Sequence, residues 1–296
     1  MFAVDRGRFT CRVTDGDGDR NVTAMRAREL GRKAVVVGDR VGIVGDVSGN
    51  TDSLARIVRI EPRTSVLRRT ADDDDPYERV VVANADQLVI VTALADPPPR
   101  TGFVDRCLVA AYDAGLEPVL CLTKADLVDG TSVLPDLLAA YADLDFTAVT
   151  CRHDEPPDAL REILADQVSV LIGHSGVGKS TLVNALVPDQ HRATGVVSAI
   201  GKGRHTSTSA VALELAGGGW VVDTPGIRSF GLAHVSPESL LAGFHDLAEG
   251  ALECPPGCGH LESSCTLDVW VAAGHATPAR LASYRRLLTS RSGADS

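Results

Sequence analysis

Short apolar-rich runs open the chain, at residues 8–13, 21–26, 34–37, 40–47 and 53–60. Turn material such as Asp-Gly-Asp-Gly-Asp and Ser-Gly-Asn-Thr-Asp separates them. Runs of this length, bounded by Gly, Asn and Asp, read as strands. Several short strands in residues 1–68 predict a small barrel, and an OB-type β-barrel is the natural candidate. Residues 69–79, with the acidic run Asp72 to Asp75, read as a solvated linker or mobile loop.

Beyond residue 79 the period changes. Residues 80–82, 87–93, 118–122, 146–149 and 168–172 are apolar runs of strand length, while 103–114, 133–143 and 157–165 read as helices. Alternation of this kind predicts an α/β unit, a mostly parallel sheet covered by helices, over residues 80–233. Residues 193–209 are rich in glycine and hydroxyls and lack a period, which reads as a mobile loop; 219–222 reads as one more strand. The remainder, 234–296, predicts helices at 237–249, 266–273 and 278–290.

Composition narrows the class. No apolar run approaches the ~20 residues needed to span a bilayer. The opening MFAVDRGRFT has no secretory apolar region, so a soluble, cytoplasmic protein without a membrane partner is expected. The net charge of −10 argues against a protein that coats nucleic acid. It is unevenly spread: residues 1–70 hold 14 Lys and Arg against 9 Asp and Glu, a local +5 that is compatible with an RNA partner. The aromatic platforms of single-strand binders are nearly absent there, with only Phe2 and Phe9.

Four local patterns carry chemistry. After the apolar run at 168–172 comes Gly173-His174-Ser175-Gly176-Val177-Gly178-Lys179-Ser180-Thr181, a G-x-x-x-x-G-K-S loop in the strand–loop–helix setting that makes it credible. Its backbone N–H groups would cradle phosphates at a helix N-terminus, Lys179 would reach the β/γ-phosphates as a catalytic cation, and the Ser180 hydroxyl would ligate Mg²⁺. Thr123-Lys124-Ala125-Asp126 follows the strand at 118–122 and resembles the guanine-specificity motif Asn-Lys-x-Asp. There a carboxylate accepts from guanine N1–H and N2–H₂, groups that adenine lacks. Thr123 in place of Asn is a departure expected to weaken that loop's anchoring to the phosphate loop. Asp223-Thr224-Pro225-Gly226 resembles the D-x-x-G switch: Asp223 would hold Mg²⁺ through water, and the Gly226 N–H would sense the γ-phosphate. Between them, Thr206 or Thr208 could reach Mg²⁺ or the γ-phosphate, and His205 is a candidate for positioning water.

The fourth pattern is Cys254-Pro-Pro-Gly-Cys258-Gly-His260-Leu-Glu-Ser-Ser-Cys265. Three thiols and an imidazole supply the Cys₃His set that one structural Zn²⁺ takes tetrahedrally. The other cysteines, 11, 107, 121 and 151, are scattered among apolar neighbours and read as buried thiols. Arg280, Arg285, Arg286 and Arg291 make the tail basic and suited to phosphate contacts.

In an ordinary small GTPase the phosphate loop comes first, then the switches, then the guanine motif. Here the guanine-type motif precedes the phosphate loop and the switch comes last. Together these features resemble the circularly permuted, small-ribosomal-subunit-dependent GTPase family of RsgA type. The residues that carry the likeness are VANADQLVIVTAL, TKAD, GHSGVGKSTLVNAL, GRHTSTS, DTPGIRSFGL and the cysteine cluster. The resemblance implies a barrel, a permuted GTPase domain and a helical zinc module. It also implies binding of GTP and GDP, and a role in late maturation of the small subunit, with barrel and zinc module on ribosomal RNA. A monomer is expected. Two departures stand out: shorter spacers in the cysteine cluster, and His-Thr-Ser-Thr where the family tends to His-Thr-Thr-Thr. Ile227 follows Gly226, where many GTPases place a glutamine that orients the attacking water. An apolar side chain cannot do that, so slow turnover is expected until His205 or the ribosome positions the water. The competing readings are a permuted GTPase with another partner, and an RNA-binding assembly factor using GTP only as a latch. An ATP-using enzyme is opposed by Asp126.

Overall fold

The computed structural model describes residues 1–291 apart from 6, 17, 32–34, 51, 71–76, 188–209, 225–230, 233, 242 and 263–264. Its frame is a sheet that holds eleven strands among the described residues. The N-terminal strands are β1 (Ala3–Asp5), β2 (Arg8–Asp15), β3 (Gly18–Arg26), β4 (Val41–Gly45) and β5 (Ala55–Ile60). They lie in the order β1-β2-β3-β5-β4, with β3 parallel to β5 and the other neighbours antiparallel. Inward positions Phe9, Cys11, Val22, Ala24, Ala55 and Ile57 alternate with exposed ones and form a core of their own. A pairing of β4 back to β1 or β2, which would close a barrel, is not among the strand pairs of the described residues.

The residues expected to be a linker begin and end inside a hairpin. β6 (Val66–Arg69) pairs antiparallel with β7 (Arg79–Ala83), because the apolar Val66, Leu67, Val80 and Val82 flanking the acidic run find partners in each other. Then follow β8 (Gln87–Ala93), α1 (Thr101–Ala114), β9 (Glu117–Thr123), α2 (Val133–Ala140), β10 (Thr147–Thr150), α3 (Asp158–Leu164), β11 (Val168–Ile172) and α4 (Lys179–Leu186). After these come β12 (Val211–Glu214) and β13 (Trp220–Asp223).

The strand order β10-β9-β8-β11-β13-β12 is parallel except for β12. The chain enters at β8, moves outward to β9 and β10, then returns to lay β11 on the other side of β8. That reversal is a topological switch point, the place where open α/β sheets bind ligands at the carboxyl ends of their strands. Strand β8 is buried at every position, as a strand covered on both faces must be. On one face Leu88, Ile90, Leu120 and Leu122 pack with Val104, Cys107 and Leu108 of α1. On the other, Val89, Val91, Val119 and Cys121 pack with Leu160 and Leu164 of α3 and with Leu182, Val183 and Leu186 of α4.

Strand β12, which is not among the strands expected above, joins the two regions. It pairs with β13 and also with β1, where Ala3 lies opposite Val211 and the Ala212 N–H donates to the Phe2 carbonyl at 2.8 Å. The C-terminal helices are α5 (Pro237–Leu241), α6 (His245–Ala251), α7 (Thr266–Ala272) and α8 (Pro278–Arg291). The single helix expected at 237–249 is two, because the chain turns to bury Phe244 against Tyr112 and Tyr284. Leu281, Tyr284, Leu287 and Leu288 of α8 join the core beside α1. Among the described residues no helix is long and apolar enough to cross a membrane.

Candidate functional site

Strand β11 delivers the phosphate loop to the middle of the sheet's carboxyl edge. Two glycines there meet steric demands. A Cβ at Gly173 would lie 2.6 Å from the Val91 carbonyl oxygen, and Gly178, at φ 88°, caps α4 in the left-handed region. Ser175, Gly176, Ser180 and Thr181 face solvent around this turn. The arrangement offers backbone N–H groups and a helix N-terminus to an anion.

Lys179 is 9% exposed, and its ammonium donates to the Asp223 carboxylate and, at 2.8 Å, to the Thr224 carbonyl. A buried cation needs such partners. The register explains the meeting: Leu171 of β11 lies opposite Asp223 of β13, and the Thr224 hydroxyl donates back to the Leu171 carbonyl at 2.8 Å. The phosphate-loop cation and the acidic residue of the switch motif therefore sit at one point. Hydroxyl and carboxylate oxygens of the Ser180 and Asp223 kind suit a hard cation such as Mg²⁺.

The third motif closes the site from the other side. Thr123 ends β9, and its hydroxyl donates to the Val177 carbonyl of the phosphate loop at 2.6 Å. The expectation above is that threonine weakens this anchor relative to asparagine; the structure shows that a direct bond between the two loops is made. Lys124 adopts the left-handed conformation (φ 57°), and its ammonium donates to the Asp96 carbonyl. A cleft of about 130 Å³ opens between Thr123, Lys124, Gly178, Thr181 and the segment that follows β10. That segment supplies Cys151, Arg152 and His153, which sequence reasoning missed. Its signal was positional only, a loop at the carboxyl end of the strand beside β9. Asp126 is not itself on the cleft wall. One of its carboxylate oxygens accepts from the His153 N–H at 3.0 Å, and that bond, aided by the Arg152 guanidinium, holds the carboxyl below its ordinary range.

The His174 ring lies 3.9 Å from that of Phe103 on α1. Burial, and then the nearby Arg100 cation, lower its pKa, so the neutral ring is favoured.

A model of the family described as RsgA GTPase matches residues 60–233. The chain belongs to the RsgA GTPase family. A relative from Chlorobaculum parvum named "Small ribosomal subunit biogenesis GTPase RsgA" is 37% identical, the match covering 94% of this chain and 93% of the relative. One of the same name from Pseudomonas aeruginosa is 39% identical over 94% of this chain and 81% of its own. Among solved structures, YjeQ from Thermotoga maritima superposes with a TM-score of 0.67 at 26% identity, covering 96% of this chain and 95% of that one. YloQ, described as a circularly permuted GTPase, gives 0.68 at 22% identity, over 99% of this chain and 93% of that one, a likeness of fold.

In this RsgA family chain the cysteine cluster also converges. Cys254, Cys258, His260 and Cys265 place one ligand atom each within 4.8 Å of one another, despite the shorter spacers. Cys265 Sγ lies 3.7 Å from the sulfurs of both Cys254 and Cys258, and 3.5 Å from His260 Nδ1. Donors of this kind and spacing can hold a metal ion. Arg285 braces the cluster: its Nε donates to the His260 carbonyl at 2.9 Å, while its Nη atoms grip Asp268 at 2.9 and 2.7 Å.

The expectation of a tail free for phosphates is corrected for Arg280, Arg285 and Arg286, while the Arg291 side chain lies outside the described ones. Arg280 is bound to Asp246 and Asp145 and lies over the Phe244 ring, and Arg286 pairs with Asp105 and lies over Tyr141. With Arg285 on Asp268, these charges brace α8 internally and are not spread out for phosphates. His205, Thr206, Thr208, Gly226 and Ile227 lie outside the described residues.

Proposed function

We propose that this chain is a GTP hydrolase that binds the small ribosomal subunit and assists its maturation. The observation that carries the reading is the meeting of the guanine-type motif and the phosphate loop at Thr123 and Val177, in a chain of the RsgA GTPase family. Relatives 37% and 39% identical along nearly the whole chain carry the name of small ribosomal subunit biogenesis GTPase, and the partner is inferred from them.

In this reading the backbone from Gly173 to Thr181 cradles the phosphates and Lys179 leaves Asp223 to neutralise the β/γ oxygens. Thr123, Lys124 and Asp126 form the base side. Mg²⁺ supplies charge neutralisation at the phosphates when bound; Ser180, Asp223 and Thr206 or Thr208 are the residues to hold it. Gly226 is inferred to sense the γ-phosphate. His205 is inferred to position the attacking water, a role Ile227 cannot take.

The metal at the cysteine cluster is inferred to be one structural Zn²⁺. Zn–S bonds of about 2.3 Å and a Zn–N bond of about 2.0 Å in a tetrahedron place sulfurs ~3.8 Å apart and sulfur and nitrogen ~3.5 Å apart. The sulfur pairs at 3.7 Å and the sulfur–nitrogen pairs at 3.5 and 3.6 Å agree with that. Three units are inferred: an OB-type barrel over 1–68, the permuted GTPase domain over 80–233 and a zinc module over 234–296, with 69–79 between the first two. The parallel β3–β5 pair and the separate N-terminal core support the first of these. The positive balance of residues 1–70 supports ribosomal RNA as the barrel's contact. The protein is inferred to act as a cytoplasmic monomer, where ribosomes are assembled.

Co-sedimentation with purified subunits tests the partner. The chain should travel with small subunits, not large ones, in the presence of a non-hydrolysable GTP analogue. Travelling with neither would remove the partner from the reading.

A further inference from the structure

We propose that Cys121 and Cys151 form a reversible disulfide that closes the base side of the cleft to nucleotide. Their sulfurs lie 3.7 Å apart, side by side on β9 and just past the end of β10. Both are free thiols. Cys121 is wholly buried in the middle of β9, which is paired on both edges, so its backbone is fixed. Cys151 is the one an oxidant can meet, because it lines the cleft beside Thr123 and His153.

The hydrogen bond between them divides the labour. Either sulfur can donate; with Cys151 as the thiolate it accepts from Cys121, which raises the Cys121 pKa and lowers that of Cys151. The thiolate is the nucleophile in sulfur chemistry, so Cys151 attacks first. With a hydroperoxide as oxidant, the Cys151 sulfur bonds to one peroxide oxygen and the O–O bond breaks. The products are a sulfenic acid and hydroxide, and the hydroxide takes up the proton Cys151 has lost to become water. The Cys121 sulfur then attacks the Cys151 sulfur: the S–S bond forms and the S–O bond breaks. The departing hydroxide takes the Cys121 proton as a second water. Two thiols lose two electrons and the peroxide gains them.

Closing 3.7 Å to a disulfide bond of about 2.0 Å requires the two sulfurs to approach by roughly 1.7 Å. The movement falls on the segment after β10, which ends its strand pairing at Cys151 N–H to the Leu122 carbonyl. That segment is tied twice to the guanine-type motif. Ala125 N–H donates to the Cys151 carbonyl at 3.2 Å, and His153 N–H donates to Asp126 at 3.0 Å. Pulling Cys151 inward therefore drags the wall of the cleft and the Asp126 carboxylate with it. A disulfide in a protein of reducing compartments is typically transient and regulatory, which suits this arrangement.

The effect on nucleotide rests on reading the cleft as the guanine site; formation of the bond does not. The test uses the purified full chain treated with hydrogen peroxide, then alkylated, digested and mapped by mass, with GTP affinity measured before, after, and after dithiothreitol. A linked Cys121–Cys151 peptide is expected, with GTP affinity lowered about tenfold and restored by the reductant. Cys121→Ala and Cys121→Val should bind GTP normally and keep that affinity in peroxide. Absence of the linked peptide from folded protein overturns the proposal. So does a linked peptide with unchanged affinity, or an equal loss in the Cys121 variants. Failure of the nucleotide reading looks different: reduced wild type then binds no GTP, while the linked peptide is still read by mass.

Discussion

Thr123 Oγ1 donates to the Val177 carbonyl oxygen at 2.6 Å, across 54 residues of chain. This bond fastens the end of β9 to the turn that opens α4, so the guanine-type motif and the phosphate-loop motif share one joint. Thr123 is 5% exposed, and removing its hydroxyl strands the acceptor where water is scarce. An unsatisfied buried group costs about 1–3 kcal/mol. Thr123→Val, which keeps the volume, should weaken GTP binding about tenfold in calorimetry, and Thr123→Ser should not. Equal affinity for all three proteins would mean the joint has no part in binding.

The cysteine cluster makes a separate prediction. Purified protein should carry about one zinc per chain by elemental analysis, and Cys265→Ser should carry none. Chelation should lower the thermal midpoint, because the site exists only in the folded chain and metal binding there adds to the folding free energy. Arg285→Gln leaves the four donors in place and removes the grip on the His260 carbonyl, so zinc should be retained but bound about tenfold more weakly. Full affinity in that variant would limit Arg285 to its bond with Asp268.

His174 gives a pH prediction. Its folded-state pKa lies below the ordinary histidine value of about 6.5, because burial against Phe103 disfavours the charged ring. A depressed value contributes stability that is present above the unfolded pKa and lost as pH falls through the folded one. Denaturant unfolding from pH 7.5 down to about 5 should therefore cost the wild type more stability than His174→Gln. Parallel curves would show that the ring takes up its proton as easily folded as unfolded.

What the sequence made legible was whatever is coded locally. The phosphate loop, the Thr123–Asp126 turn and Asp223 each follow an apolar strand within a few residues, and the sheet brings all three to one edge. The cysteine cluster was legible for the same reason, its donors being close in the chain. Long-range pairing was not. The run Val211–Glu214 is short, and what fixes it as a strand is pairing with β13 on one side and with Ala3 of β1 on the other. The hairpin of β6 and β7 was hidden by the charged residues between its strands. Arg280, Arg285 and Arg286 looked available because their acidic partners, Asp145 and Asp246, Asp268, and Asp105, are brought in by the fold. The segment with Cys151 and His153 has no motif at all, only a place beside the right strand.

GTP hydrolysis by the purified chain, alone and with small or large ribosomal subunits, with ATP as control and His205→Ala alongside, tests the proposed function most directly. Slow turnover alone is expected, with acceleration by small subunits only, no ATP turnover, and loss of the acceleration in His205→Ala while GTP still binds. GTP binding with no response to small subunits would contradict that function, leaving a guanine nucleotide site whose partner lies elsewhere.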